Sequence, residues 1–151
     1  MIETAKMINW YPGHMAKTRR QLKDQIRNID LIIEICDARL PYSSRNRDLI
    51  TICTGKKHML FLNKSDLADQ NASSKWIHSF RKNGLDAYLI YAGQLNRKET
   101  IGLIEKTTKE IVEKWLAKGV RTAVKAMIVG IPNVGKSTLI NIIGGLIAPT
   151  S

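Results

Sequence analysis

Apolar positions along the chain follow two rhythms that take turns. Short, nearly unbroken runs rich in β-branched residues stand at 31–36, 58–62, 87–91 and 126–129. Such runs read as strands covered on both faces. Around them apolar residues recur at helical spacing: Met15, Leu22, Ile26 and Ile29; then Ala68, Ala72, Trp76, Ile77 and Phe80; then Ile101, Ile104, Ile111, Val112, Trp115 and Leu116. Asn83-Gly84 and Gly119 stop the second and third of these helices. On the third, Glu105/Lys109 and Glu110/Lys114 are spaced to pair across one turn. Pro41 and Ser43-Ser44 break the chain after the first strand, and Ser44 or Asn46 is placed to cap a short helix through Cys53. There is no repeat and no low-complexity tract. Alternating strand and helix predicts an α/β fold, a three-layer, doubly wound, mainly parallel sheet with ligands at the carboxyl ends of its strands.

Two loops at such ends carry chemistry. Gly130-Ile131-Pro132-Asn133-Val134-Gly135-Lys136-Ser137 follows the run 126–129 and precedes Thr138-Leu139-Ile140. This is the G-x-x-x-x-G-K-[ST] pattern of a phosphate-binding loop, in the strand and helix context it requires. Gly130 and Gly135 let backbone N–H groups turn inward around a phosphate where a Cβ would clash. The following helix adds its unpaired N–H groups and positive end to the same anion. Lys136 would reach the β and γ phosphates and the Ser137 hydroxyl would ligate Mg2+.

The second loop, Asn63-Lys64-Ser65-Asp66, follows the run 58–62. An Asn-Lys-x-Asp turn is common on surfaces, but beside a phosphate loop it reads as a guanine-specificity element. The Asp66 carboxylate accepts from both N1–H and the exocyclic amino group of guanine, a donor pair that adenine lacks. Asn63 would bond the N7 edge and tie the two loops together, while the Lys64 stem covers the ring. In ordinary GTPases the phosphate loop comes first, whereas here Asn63 precedes Gly130 by 67 positions. The order predicts a circularly permuted domain, an arrangement tolerated when the original termini lie close at the surface.

Composition sharpens the picture mainly through charge. Lys and Arg total 24 against 13 Asp and Glu, a net charge of +11 with a pI near 9.9. Such an excess attracts polyanions, RNA above all, or else forms a generic solvated basic surface. A basic amphipathic helix with Lys17, Arg19, Arg20, Lys23 and Arg27 is open to the same two readings. Cys36 and Cys53 sit in apolar stretches without C-x-x-C spacing, as buried thiols of a reducing compartment. Neither a signal peptide nor a membrane-spanning run is evident, which leads to the expectation of a cytoplasmic protein with no membrane partner.

Five motifs together resemble one family, the circularly permuted ribosome-assembly GTPases of the YlqF/RbgA type. They are Trp10-Tyr11-Pro12-Gly13-His14-Met15-Ala16-Lys17, Asp37-Ala38-Arg39-Leu40-Pro41, Ser43-Ser44-Arg45-Asn46, Asn63-Lys64-Ser65-Asp66 and the phosphate loop through Asn141. Their order and spacing match over almost the whole chain. Members start just before the tryptophan, which makes Met7 an alternative initiator. The resemblance implies a GTP hydrolase that assists maturation of the large ribosomal subunit and binds ribosomal RNA and assembly intermediates, with no DNA partner expected. It assigns GTP or GDP to Asn63, Lys64, Asp66, Gly130, Asn133, Val134, Gly135, Lys136, Ser137 and Thr138. It associates Asn133 with a K+ ion, with a plain turn residue as the other reading. It connects His14 with the attacking water, which an imidazole orients or deprotonates near neutral pH, against a histidine that merely caps a helix.

The family continues beyond this point with a switch threonine, a D-x-P-G strand and a helical RNA-binding domain. Here the sequence runs to Ser151, and residues 144–151 depart from the usual Lys-Thr-Gly ending of that loop. The expectation is a basic segment and helix over 1–29, then a partial permuted domain over 30–151 lacking its switch strands. Strands 126, 31, 58 and 87 should lie in that spatial order, leaving 126–129 as an exposed apolar edge. Three functions stay distinct: a GTPase of ribosome assembly, a guanine-nucleotide-binding fragment without turnover, and an RNA-binding scaffold indifferent to nucleotide.

Overall fold

The computed structural model describes residues 2–9, 20, 23–45, 55–91, 96–130 and 139, with residues 2–9 and Arg97 through their backbone alone. The apolar runs become β2 (Leu31–Asp37), β3 (Lys57–Asn63), β4 (Asp86–Leu89) and β5 (Val124–Gly130), and a further strand, β1 (Ile2–Asn9), precedes them. Helices α1 (Gln70–Lys82) and α2 (Arg97–Ala117) separate β3, β4 and β5. Each helix begins at a side-chain cap that satisfies an otherwise unpaired amide. Asp69 accepts from the Ala72 N–H at 2.7 Å, and Asn96 accepts from the Glu99 N–H at 2.8 Å. Gly84 and Gly119 follow the helix ends with φ of 88° and 74°, left-handed values that a side chain would resist.

The sheet has five strands in the order β1-β5-β2-β3-β4, every pair parallel. The four expected strands lie in the expected order. The expected exposed edge at 126–129 does not exist, because β1 runs alongside β5. Pairing runs from Ile2 opposite Val124 to Asn9 opposite Gly130, with a register shift between Thr4 and Lys6. The outer amides and carbonyls of β5 need partners, and β1 supplies them through its main chain. Residues 2–9 therefore share one sheet with β2 to β5. The helix expected before β2 is seen at 23–26 and leads into buried Ile26 and Ile29. The short helix expected through Cys53 and the loop around Gly93 lie outside the described residues.

Two cores flank the sheet, which gives the three layers. On one face Leu31, Ile33, Ile35, Met59, Phe61, Ala126 and Ile128 pack with Ile104 of α2. On the other, Cys36, Leu60, Leu62 and Ala87 pack with Ile77 and Phe80 of α1. Leu116 of the expected α2 stripe is instead exposed. The ion pairs along α2 also differ in phase: Lys109 meets Glu113 at 3.9 Å and Glu110 meets Lys57 at 4.0 Å. A Thr107 hydroxyl donating to Asp86 at 2.7 Å pins α2 to β4.

Candidate nucleotide-binding site

Because all strands are parallel, both candidate loops leave the same end of the sheet. Asn63 closes β3 opposite Asp37, and Gly130 closes β5 one residue beyond Val129, which faces Glu34 of β2. Only β2 separates β3 from β5, so the two exits stand roughly 10 Å apart at ordinary strand spacing. Asn63 is buried, and its carbonyl accepts from the Ala38 N–H at 2.7 Å.

Lys64 has φ 60° and ψ 34°, and it is the non-glycine residue with positive φ among those described. A conformation of that kind persists where its surroundings hold it. Two contacts do so. The next amide, of Ser65, donates to the Ile90 carbonyl at 3.1 Å, and the Lys64 Nζ stands 3.7 Å from Asp37 Oδ2. A short 3-10 turn, Ser65–Leu67, then presents Asp66. Its carboxylate is exposed and takes no hydrogen bond or ion pair among the described residues. Two free acceptor oxygens beside a buried asparagine fit the donor edge of guanine.

The loop after β2 braces this turn. Asp37 accepts from the Arg39 N–H and Nε at 2.9 and 3.0 Å and from an Arg39 Nη at 2.7 Å. Those hydrogen bonds, aided by the charges of Arg39 and Lys64, hold the Asp37 carboxyl below its ordinary value although partial burial opposes them. Ser44 staples the loop, its Oγ accepting from the Asp37 N–H at 2.9 Å and donating to the Leu40 carbonyl at 2.6 Å.

Sequence reasoning missed the charge cluster beneath this loop. Glu34, 1% exposed, accepts from Arg45 at 2.9 Å and faces His58 Nε2 at 3.0 Å. Burial pushes the Glu34 carboxyl up, but hydrogen bonds from His58 and Arg45 and their charges outweigh it and leave it below its ordinary value. Arg45 also lies over the Phe80 ring at 5.1 Å, tying the loop to α1. The available signal was Glu34 itself, a charge inside an apolar strand, which demands a partner.

Gly130 is buried, and Leu139, helical and 1% exposed, packs into the same core as β2 and β5. The phosphate loop is thus bracketed by two anchored residues. Its other assigned members, Asn133, Val134, Gly135, Lys136, Ser137 and Thr138, lie outside the described residues, as does His14. Among the described residues no group of three His, Cys, Asp or Glu is placed to hold a metal, and no helix is long and apolar enough to cross a membrane.

Fold and loop order are similar to those of P-loop nucleotide-binding domains, with the Asn63–Asp66 loop ahead of the phosphate-loop motif in the chain. Comparison with known proteins agrees: residues 125–151 match the family described as 50S ribosome-binding GTPase. Ribosome biogenesis GTPase A of Bacillus cereus is 49% identical over 138 residues, covering 89% of this chain and 46% of that protein. Its namesake from Priestia megaterium is 43% identical, with 89% and 48% covered. A crystal structure of GNP-bound YlqF from T. maritima superposes with a TM-score of 0.64 at 30% identity, covering 87% of this chain and 49% of that one. In sequence and fold this chain is similar to the ribosome biogenesis GTPases of the YlqF/RbgA type. It spans about half the length of the curated relatives it matches.

Proposed function

We propose that this chain binds guanine nucleotide and carries the nucleotide site of a GTPase that assists large ribosomal subunit assembly, converting GTP to GDP and phosphate. The observation that carries the reading is the convergence of the two loop exits at one end of the sheet, with the Asp66 carboxylate open beside them. In this reading Asp66 and Asn63 hold the base, Lys64 covers it, and Gly130 with Asn133 through Thr138 wraps the phosphates. Mg2+, when bound through the Ser137 hydroxyl, offsets charge developing between the phosphates. Asn133 would face a K+ ion, and His14 would orient the attacking water. The partners are ribosomal RNA and assembly intermediates, and the compartment is the cytoplasm, where both are found.

The test is titration of a fluorescent GDP analogue with Mg2+, competed by GTP, ATP and xanthosine triphosphate. GTP is expected to compete and ATP to fail. Asp66→Asn replaces acceptors by a donor and an acceptor, matching the 2-oxo group of xanthine. The substitution should weaken GDP by at least about 100-fold, since it removes two charge-assisted hydrogen bonds of about 1.5–3 kcal/mol each, and should favour the xanthine nucleotide. Equal competition by ATP, or an Asp66→Asn chain with unchanged guanine preference, would refute the assignment. Phosphate release that drops in His14→Ala would support turnover; binding without release would leave the nucleotide-binding reading alone.

A further inference from the structure

The charge of this chain is distributed unevenly over the sheet's two ends. At the carboxyl end, residues 37–45 and 63–69 carry Arg39, Arg45 and Lys64 against Asp37, Asp66 and Asp69, which balance. At the amino end, residues 27–30, 55–57, 83–86 and 118–125 carry Arg27, Lys56, Lys57, Lys118, Arg121 and Lys125 against Asp30 and Asp86. Of those six cations, Lys57 lies 4.0 Å from Glu110, and the others face no carboxylate at ion-pair distance among the described residues. The strongest concentration of positive charge described in the molecule is therefore on the side away from the nucleotide loops.

That end is also hollow. An open depression of about 340 Å3 is lined by Arg27, Lys56, Lys125, Asp30, Trp115 and Thr122, among others. Its frame is rigid: the Asp30 N–H donates to the Lys125 carbonyl at 2.8 Å, and Asp30 Oδ2 accepts from the Lys125 N–H at 2.9 Å. The one lining carboxylate is thus engaged in joining β2 to β5. Lys56 Nζ donates to the Arg27 carbonyl at 3.5 Å, which ties this cation to the chain before β2. Trp115 is half-buried and packed against the core of Leu31 and Val124, so its indole is held while part of it stays open. The negative end of α2 is muted there, because Lys118, Gly119 and Val120 donate their amides to the Trp115 and Leu116 carbonyls.

Three cations lining one depression with an anchored aromatic side chain match the backbone phosphates and one stacked base of a single-stranded nucleic acid. We infer that this hollow is an RNA-docking site, taking an unpaired nucleotide on Trp115 with its flanking phosphates on Arg27, Lys56 and Lys125. The choice of RNA rests on the ribosome-assembly reading; the charge and the shape of the hollow do not. A chain docked this way leaves the opposite end of the sheet free for nucleotide.

The experiment measures binding of a labelled single-stranded RNA 12-mer and of its duplex form across a range of salt, with GDP-analogue binding and thermal melting followed in parallel. Lys56→Ala/Lys125→Ala should weaken single-strand binding at least tenfold. It should also flatten the log–log salt slope by about 1.4, two contacts at about 0.7 each. Melting and GDP binding should not change. Trp115→Ala should weaken the single strand and spare the duplex; where that variant melts early, the lysine pair alone decides. Unchanged affinity and slope in the lysine variant would overturn the inference, as would polyglutamate displacing RNA at equal charge concentration. An unmutated chain that binds GDP but not the single-stranded RNA removes this site and leaves the proposed function standing. RNA binding of this kind in a chain that ignores GDP does the reverse.

Discussion

Glu34 has to be matched where it stands, because the apolar strand around it offers no water. Replacing it by Gln keeps the shape but leaves the Arg45 guanidinium, only 11% exposed, without its counter-charge. Breaking a buried pair in this way costs about 3–5 kcal/mol, to be read from urea unfolding at neutral pH. The pH dependence follows from the lowered carboxyl. In the native state Glu34 holds its proton less tightly than in the unfolded chain, so its stabilisation is complete above the unfolded value of about 4.3. It is lost as pH falls through the native value. The gap between wild type and Glu34→Gln should therefore narrow below about pH 4.3; a gap that widens on acidification would contradict the assignment. Beside it, burial and the Glu34 charge push the Cys36 thiol up to about 12. In a Cys53→Ser chain at pH 8, a thiolate-selective reagent should modify Cys36 only as fast as the protein opens, a rate that rises with urea in step with unfolding.

Elements differ in how plainly the sequence declares them. β2, β3 and β5 are sheathed on both faces, so their runs of Ile, Leu, Met and Val are legible without any partner in view. β1 is not, because an edge strand is held on one side and its main chain carries the pairing. Ile2-Glu3-Thr4-Ala5-Lys6-Met7-Ile8-Asn9 has no clean alternation to betray it. The helices were legible through their apolar spacing and their Gly stops, whereas the partners of Lys109 and Glu110 depended on side-chain direction and on Lys57 of a neighbouring strand. β1 also lends itself to measurement. If it covers β5, the amides of Ala126 and Ile128, which face β1 because the N–H and carbonyl of the alternate residue Lys125 face the β2 side, should exchange with solvent at the slow rates of the interior, and deleting residues 1–9 should speed them. The shortened chain should also scatter light at concentrations where the full chain stays clear. Identical exchange in both would mean that β5 does not rely on this strand.

For the molecule as a whole, the candidate base-recognition loop is legible in the sequence because its chemistry is local. Asn63, Lys64 and Asp66 arrive together, and the strand before them aims them. What supports them was not legible, since Asp37, Ser44, Arg45 and His58 act across distances that only the folded sheet closes. The same holds for charge. A total of +11 names a kind of partner, while the gathering of cations at the amino ends of the strands among the described residues is a property of topology.

The strand that carries the phosphate loop is last of the five in sequence and second in space, seated between β1 and β2. At a synthesis rate of about 5–20 residues per second, the 93 positions from Asp37 to Gly130 take roughly 5–20 s to appear. Throughout that interval the β2-β3-β4 half can collapse on its own helices, but the flank of β2 has nothing to zip against. A nascent chain of this design spends its early life as an unfinished ribbon, and it is the arrival of the final strand, rather than any later docking, that turns the ribbon into a sheet.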